Sequence, residues 1–269
     1  MAPPPPAPAA RDWAALPSDI VLDVFLRLGP HEVMLGAEQA CKPWRHVALE
    51  EPMLWRRVGL DEDYTDKRWI RCPCSVKQQM LRVAVDRAKG QCEAFKGNCY
   101  DGYLPHLVRR APILRSLNIQ HYSDYENGKR LVKALKKLTL LEDLEIYFKY
   151  SIDYEDWDKS MLQSICKACP RLKKLVLMYA SATELECDED EFDKEPVDGP
   201  IPVMRNLHTL KLYECELSCK GLNAIIDGCP RLETLLIDGY FNKRKMDENL
   251  KLKCARVKNL TLDTMKKPP

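Results

Sequence analysis

Residues 16–58 read LPSDIVLDVFLRLGPHEVMLGAEQACKPWRHVALEEPMLWRRV, and this stretch is too apolar for its size to stand alone. Ser18 is placed to cap a first helix, with Asp19 in the opening turn favoured by the helix dipole. Ile20, Val21, Val24, Phe25 and Leu28 form one apolar stripe, while Leu22 and Leu26 make a second side apolar, and one face cannot bury both. Gly29 and Pro30 end this helix, a second is expected over about residues 31–41, and Pro43 suits the first turn of a third. Pro52 breaks the third before Met53, Leu54 and Trp55. Domains below about 40 residues seldom bury enough surface to be stable, so the surplus apolar area should meet a partner or the next part of the chain.

Taken in order, Leu16 and Pro17, Ile20, Val24 and Phe25, Leu28, Cys41, Trp44 and Arg45, then Pro52, Leu54 and Trp55 resemble the F-box. That family shows an LP, an amphipathic helix, a VC-x-x-WR run and a closing LW. Ala40 stands where the family usually carries Val, which trims one methyl-sized contact. The resemblance implies docking onto the Skp-type adaptor of a cullin ubiquitin ligase. The adaptor-binding residues it implies are Leu16, Pro17, Ile20, Val24, Phe25, Leu28, Cys41, Trp44, Leu54 and Trp55. The other reading is a helical cap whose apolar faces pack only against the remainder of the chain.

The totals are those of an ordinary globular chain. With 269 residues, 45% hydrophobic and 30% charged, one or two domains and a sizeable core are expected. The 42 basic and 40 acidic residues nearly cancel, so net charge gives no case for a nucleic acid or membrane partner. Residues 1–10, MAPPPPAPAA, lack a basic region leading into an apolar run. They are expected to be no signal peptide but a disordered or polyproline arm reaching residue 12, either a solvated tail or a ligand for a Pro-binding module. No run approaches the roughly 18 apolar residues of a membrane span. Cytoplasm, nucleus or both are the expected locations.

Twelve cysteines suggest a disulfide framework only in an oxidising compartment, which nothing in the sequence indicates. Zinc is the sharper alternative, with Cys72 and Cys74 as C-P-C and Cys166 and Cys169 as C-x-x-C. Neither couple has a second at a ribbon-like distance. Cys169, Cys229 and Cys254 recur at one place in a repeat, which favours small buried thiols, and no cofactor is expected.

Between Gly59 and Gly90 a polar loop should lead into a helix carrying Val76, Met80, Leu81, Val83, Ala84 and Ala88, with Trp69 packed beneath that helix. Beyond it the chain repeats itself: APILRSLNI ends at Ile119, LTLLEDLEI at Ile146, CPRLKKLVL at Leu177, MRNLHTLKL at Leu212, CPRLETLLI at Ile237 and CARVKNLTL at Leu262. The skeleton is L-x-x-L-x-L, with Leu117, Leu144, Leu175, Leu210, Leu235 and Leu260 spaced 25 to 35 residues apart. Amphipathic helices precede most units, so each reads as helix then short strand in a parallel-sheet solenoid, with a degenerate strand starting at residues 92–95. The units resemble the cysteine-containing leucine-rich repeats that follow an F-box in plant F-box/LRR proteins. The Asn or Cys that the resemblance implies three residues after the last apolar position is met by Cys215 alone, with Tyr122, Lys149, Ala180 and Tyr240 elsewhere, a departure from the family's usual side-chain ladder.

The fold class expected is α+β: a three-helix F-box over 13–58, a linker with helix over 59–90, and a short α/β solenoid of six or seven repeats over 91–265, with a tail at 266–269. Residues 184–199 form an acidic insertion that should be mobile, either solvated or steering a basic substrate. A smaller insertion from Tyr147 adds Tyr150, Tyr154 and Trp157.

If Leu117, Ile119 and their equivalents point inward, strand alternation sends the intervening residues to the open face. Tyr147, Val176, Met178, Tyr213, Leu236 and Asp238 are the substrate-binding candidates, an apolar centre with a charged rim. A register slip of one residue would bury them instead. No catalytic constellation emerges from the five histidines, and eleven scattered glycines form no phosphate loop. Lys129, Arg130, Lys133, Lys136 and Lys137 read as an ordinary solvated helix face. The combined expectation is a non-catalytic substrate-recognition subunit, joined through the adaptor to a cullin complex and holding a protein substrate on its repeats. A non-ligase scaffold and a zinc- or thiol-dependent enzyme are the rivals.

Overall fold

The structure, a computed structural model, describes residues 12–59, 72–99, 102–122, 128–148, 161–181 and 195–264. Residues 1–11 of the arm, Trp69, Lys149, Tyr150, Tyr154, Trp157, residues 182–194 of the acidic insertion and the tail lie outside the described residues.

Three short helices open the chain: α1 (Ser18–Phe25), α2 (Pro30–Leu35) and α3 (Lys42–Glu50). Pro17, not Ser18, holds the N-cap of α1, with no side-chain cap, because its own fixed φ of -56 leads directly into the helix. The expected second helix stops early. Gly36 leaves helical geometry at φ -136 and ψ -75, and residues Ala37–Gln39 form a separate 3-10 turn. At the other end of α2 the Gly29 N–H donates to Glu32 Oε2 at 2.7 Å, closing the first turn. The 3-10 turn Pro52–Trp55 then runs into β1 (Arg57–Gly59).

That strand changes the architecture expected from the repeats. β1 pairs in parallel with β2 (Ala94–Cys99), setting Val58 beside Phe95, so the sheet starts inside the helical module. Between them α4 (Cys74–Arg87) buries Leu81, Ala84 and Val85 and packs on β1, β2, α2 and the Pro52–Trp55 turn. Residues 57–99 thus supply two further strands and a covering helix. They escape the L-x-L pattern because β1 has one apolar residue and β2 reads AFKGNC.

The chain continues through α5 (Tyr103–Arg110), β3 (Ser116–Tyr122), α6 (Lys129–Leu135), β4 (Asp143–Phe148), α7 (Met161–Ala168), β5 (Lys174–Tyr179), β6 (Glu195–Val197), β7 (Thr209–Leu217), α8 (Cys219–Gly228), β8 (Thr234–Phe241), α9 (Glu248–Cys254) and β9 (Asn259–Thr264). Among the described residues the sheet has nine strands, all paired in parallel, in the order β1-β2-β3-β4-β5-β7-β8-β9 with β6 beside β7. Leu117, Leu144, Leu175, Leu210, Leu235 and Leu260 stand in one register row, and Ile119, Ile146, Leu177, Leu212, Ile237 and Leu262 in the next. Most are fully buried against the helices, each contributing about 2 kcal/mol of hydrophobic stabilisation.

Three features were not legible as repeats. At the ends of the strands Tyr122 meets Phe148 edge-on at 6.0 Å, and Phe148 stacks on Tyr179 at 5.3 Å, so aromatic rings fill the place of the expected polar ladder. At the start of the strands a row of charge runs Arg56, Glu93, Arg115, Glu142, Lys173, His208, Glu233, Lys258, alternating in sign from Arg56 to Lys173 and again from Glu233 to Lys258, each residue one step before the paired register. Glu142 joins Arg115 at 3.1 Å and Lys173 at 2.9 Å, and Glu233 joins Lys258 at 2.9 Å. Finally, residues 195–197 of the acidic insertion form β6 rather than loop: Asp198 accepts from Ser218 Oγ, and a side chain at Gly221 would put its Cβ 1.9 Å from the Val197 carbonyl oxygen. Only glycine lets the start of α8 approach this strand so closely.

Candidate functional site

Two surfaces carry the residues singled out from the sequence. On the first, the stripe of α1 divides. Val21 and Phe25, one turn apart, face inward, whereas Ile20 and Val24, also one turn apart, remain 45% and 40% exposed. Leu26, Leu35, Leu49 and Met53 add exposed apolar side chains at the C-cap of α1, on α2, on α3 and on the following turn. Sequence reasoning had Leu26 on the second apolar side without assigning it a role, and periodicity alone could not rank the two sides.

Of the proposed docking residues, Pro17, Ile20 and Val24 are exposed; Leu16, Leu28, Cys41, Trp44 and Leu54 are half-buried. Phe25 and Trp55 are corrections: at 1% and 0% exposure they are core residues and offer no surface. Phe25 packs edge-on against Trp44 at 5.7 Å, and Trp44 in turn donates its indole N–H to the Trp13 carbonyl at 3.0 Å. Trp55 donates to the Ala48 carbonyl at 3.0 Å, satisfying its one polar group inside.

The second surface is the open face of the sheet. Tyr147, Met178, Tyr213 and Asp238 lie side by side in one register row, and Glu145, Val176, Lys211 and Leu236 in the row next to it. Tyr147, Met178, Tyr213, Leu236 and Asp238 are half-exposed, so the register places them outward. Val176 is a correction, being only 4% exposed. It sits between Glu145 and Lys211 in register, and Lys174 reaches Glu145 at 3.3 Å, so longer polar neighbours cover this short side chain. Tyr147 meets His121 edge-on at 5.2 Å, which extends the aromatic strip to β3.

Cys92, Cys99, Cys166, Cys169, Cys215, Cys229 and Cys254 lie in the core, whereas Cys41, Cys72 and Cys219 are half-buried and Cys74 is exposed. Burial pushes the thiols of Cys92, Cys169 and Cys229 up to about 12 and raises that of Cys166 further. Cys92 and Cys169 donate to the carbonyls of Ala94 and Leu135. Among the described residues no group of three or more His, Cys, Asp or Glu side chains is arranged to hold a metal ion.

Residues 13–61 match the family model described as F-box-like. The chain is 32% identical to the Arabidopsis thaliana putative F-box/LRR-repeat protein 22 over 86% of its own length and 70% of that protein's. The chain belongs to the F-box/LRR-repeat family. It is also 32% identical to putative F-box/LRR-repeat protein 23 of the same plant over 93% of its length, spanning about half (53%) of that relative, and 28% identical to the F-box protein SKIP1 over 96% of its length and 87% of SKIP1. The matched F-box-like residues cover the helical module ending in β1, and the strand and helix units described after it are the repeat region.

Proposed function

We propose that this F-box/LRR-repeat chain is a non-catalytic substrate-recognition subunit of a Skp-cullin-F-box ubiquitin ligase, working in the cytoplasm, the nucleus or both. The F-box holds the Skp-type adaptor, and the open face of the repeats holds a protein substrate. The observation that carries the reading is the division of α1: Ile20 and Val24 stay in solvent while Val21 and Phe25, one step along the helix, are buried. An apolar pair left outside a well-filled core is the anatomy of a docking face. The row Tyr147, Met178, Tyr213 with Asp238 at its end supports the second half, an aromatic strip flanked by charge. Holding both partners at once would raise the effective concentration of substrate lysines near the cullin-bound ubiquitin-transferring enzyme.

Co-purification with a Skp-type adaptor tests the first half. The wild type should yield a soluble one-to-one complex, and Ile20→Asp and Val24→Asp should abolish it with the fold intact, because both positions already face water. A wild type that stays soluble and indifferent to the adaptor would reduce the F-box to a cap on the repeats and remove the ligase reading.

A further inference from the structure

The helical side of the repeats carries a charge distribution that the chain's near-neutral total conceals. The neighbouring helices α5, α6 and α7 contain no Asp or Glu; their outward positions hold Arg109, Lys129, Lys133 and Lys167, and Lys136 and Lys137 follow directly on the end of α6, all exposed. α6 touches both α5 and α7. Packed helices lie about 10 Å apart, close to one screening length at physiological salt, so the fields of these cations add.

Two further observations separate this face from an ordinary solvated one. The first is pairing. On one flank α4 answers Arg110 with Asp86 at 2.9 Å, and on the other Lys253 meets Asp227 at 2.8 Å and Lys251 meets Glu248 at 2.7 Å. Among the described residues Lys129, Lys133, Lys136, Lys137 and Lys167 form no ion pair. The second is position. Lys133 and Lys167 sit in last turns, where the helix dipole welcomes a cation, but Lys129 opens α6, where the dipole repels one. Helix stability does not account for Lys129 there.

We propose that the outer face of α5, α6 and α7 docks an acidic segment of a protein partner, at a surface separate from the F-box and from the open face of the sheet. The face holds mostly lysines, point charges that neutralise carboxylates without demanding a fixed geometry. No large apolar side chain is exposed on these three helices, so nothing there would anchor in a bilayer. Their aromatic residue, Tyr103, is fully buried, which leaves no ring to stack on a base. An acidic peptide is the polyanion that needs neither.

The test is binding of a fluorescein-labelled polyglutamate peptide to the full chain, read by fluorescence anisotropy across a salt series. Polyglutamate should bind the wild type and weaken as salt rises. The triple variant Lys133→Glu, Lys136→Glu, Lys167→Glu should bind at least about tenfold more weakly. A control with the same charge change elsewhere, Lys42→Glu, Lys220→Glu, Lys245→Glu, should stay within about twofold of the wild type. Equal loss in both triples, or no binding by the wild type at low salt, would overturn the proposal. So would tighter binding of a duplex or single-stranded oligonucleotide, or of phosphatidylserine vesicles, than of polyglutamate.

Discussion

Arg87 forks onto Glu38 across the joint between the F-box and the first helix of the repeats, with Nη1 2.6 Å from one carboxylate oxygen and Nη2 3.3 Å from the other. The Glu38 side chain is 7% exposed, and the same guanidinium lies 5.0 Å over the ring of the buried Trp55. Lys89 adds a second link to Glu50 at 3.1 Å, at the surface. The F-box and repeats therefore share a sheet edge, a buried bidentate pair and a cation–π contact, and the angle between the two proposed docking surfaces is held by all three.

The clasp makes an asymmetric prediction. Arg87→Met leaves the Glu38 carboxylate buried and unpaired and should cost about 3–5 kcal/mol in urea unfolding. The double variant Arg87→Met, Glu38→Met should recover most of that loss, because it removes the stranded charge along with its partner. A single-variant loss below about 1 kcal/mol would show that water screens the pair as it screens surface ion pairs.

The charge row at the start of the strands predicts an acid-sensitive increment. The hydrogen bond from Lys173, followed by the nearby positive charges, holds the Glu142 carboxyl below its ordinary 4.5. A depressed carboxyl contributes stability above its unfolded value, and that contribution disappears as pH falls from about 4.5 through the lower folded value. Glu142→Gln should thus be less stable than wild type at neutral pH by up to about 1 kcal/mol, and the two should converge in acid. Denaturation midpoints measured at neutral and acidic pH read this directly; a constant gap would remove the pair from the pH dependence.

Thiol labelling should divide the cysteines by burial. In the native chain Cys74 is exposed and Cys41, Cys72 and Cys219 are half-buried, while Cys92, Cys166, Cys169 and Cys229 are enclosed with thiols held well above 9.0. Iodoacetamide at mildly alkaline pH should modify the first group and spare the second until denaturant is added, as peptide mass spectrometry would resolve. The raised thiols carry a linkage of the opposite sign to Glu142: their contribution is complete below 9.0 and is lost as pH climbs toward 12. Stability should therefore fall in strong alkali.

The repeat units were legible because strand alternation has a period of two, and L-x-L placed both inward rows before any partner strand was known. That same period put Tyr147, Met178, Tyr213, Leu236 and Asp238 on the open face. It could not show that Val176 lies under the Glu145–Lys174 pair, since that pair spans two strands. On α1, Ile20, Val21, Val24 and Phe25 all lie on one broad stripe, and helical period alone does not say which half meets α3.

By itself the sequence determined an F-box followed by leucine-rich repeats, because each unit's apolar spacing is a local property of the chain. Tertiary structure alone decided how the two are joined. β1 has too few apolar residues to announce itself, yet it starts the sheet, since a parallel neighbour supplies the hydrogen bonds that its own sequence cannot specify. Glu38 and Arg87 stand 49 residues apart and read separately as two ordinary surface charges. They become a buried clasp only when α4 packs onto α2, because a charge is stable away from water only beside a partner that the fold delivers.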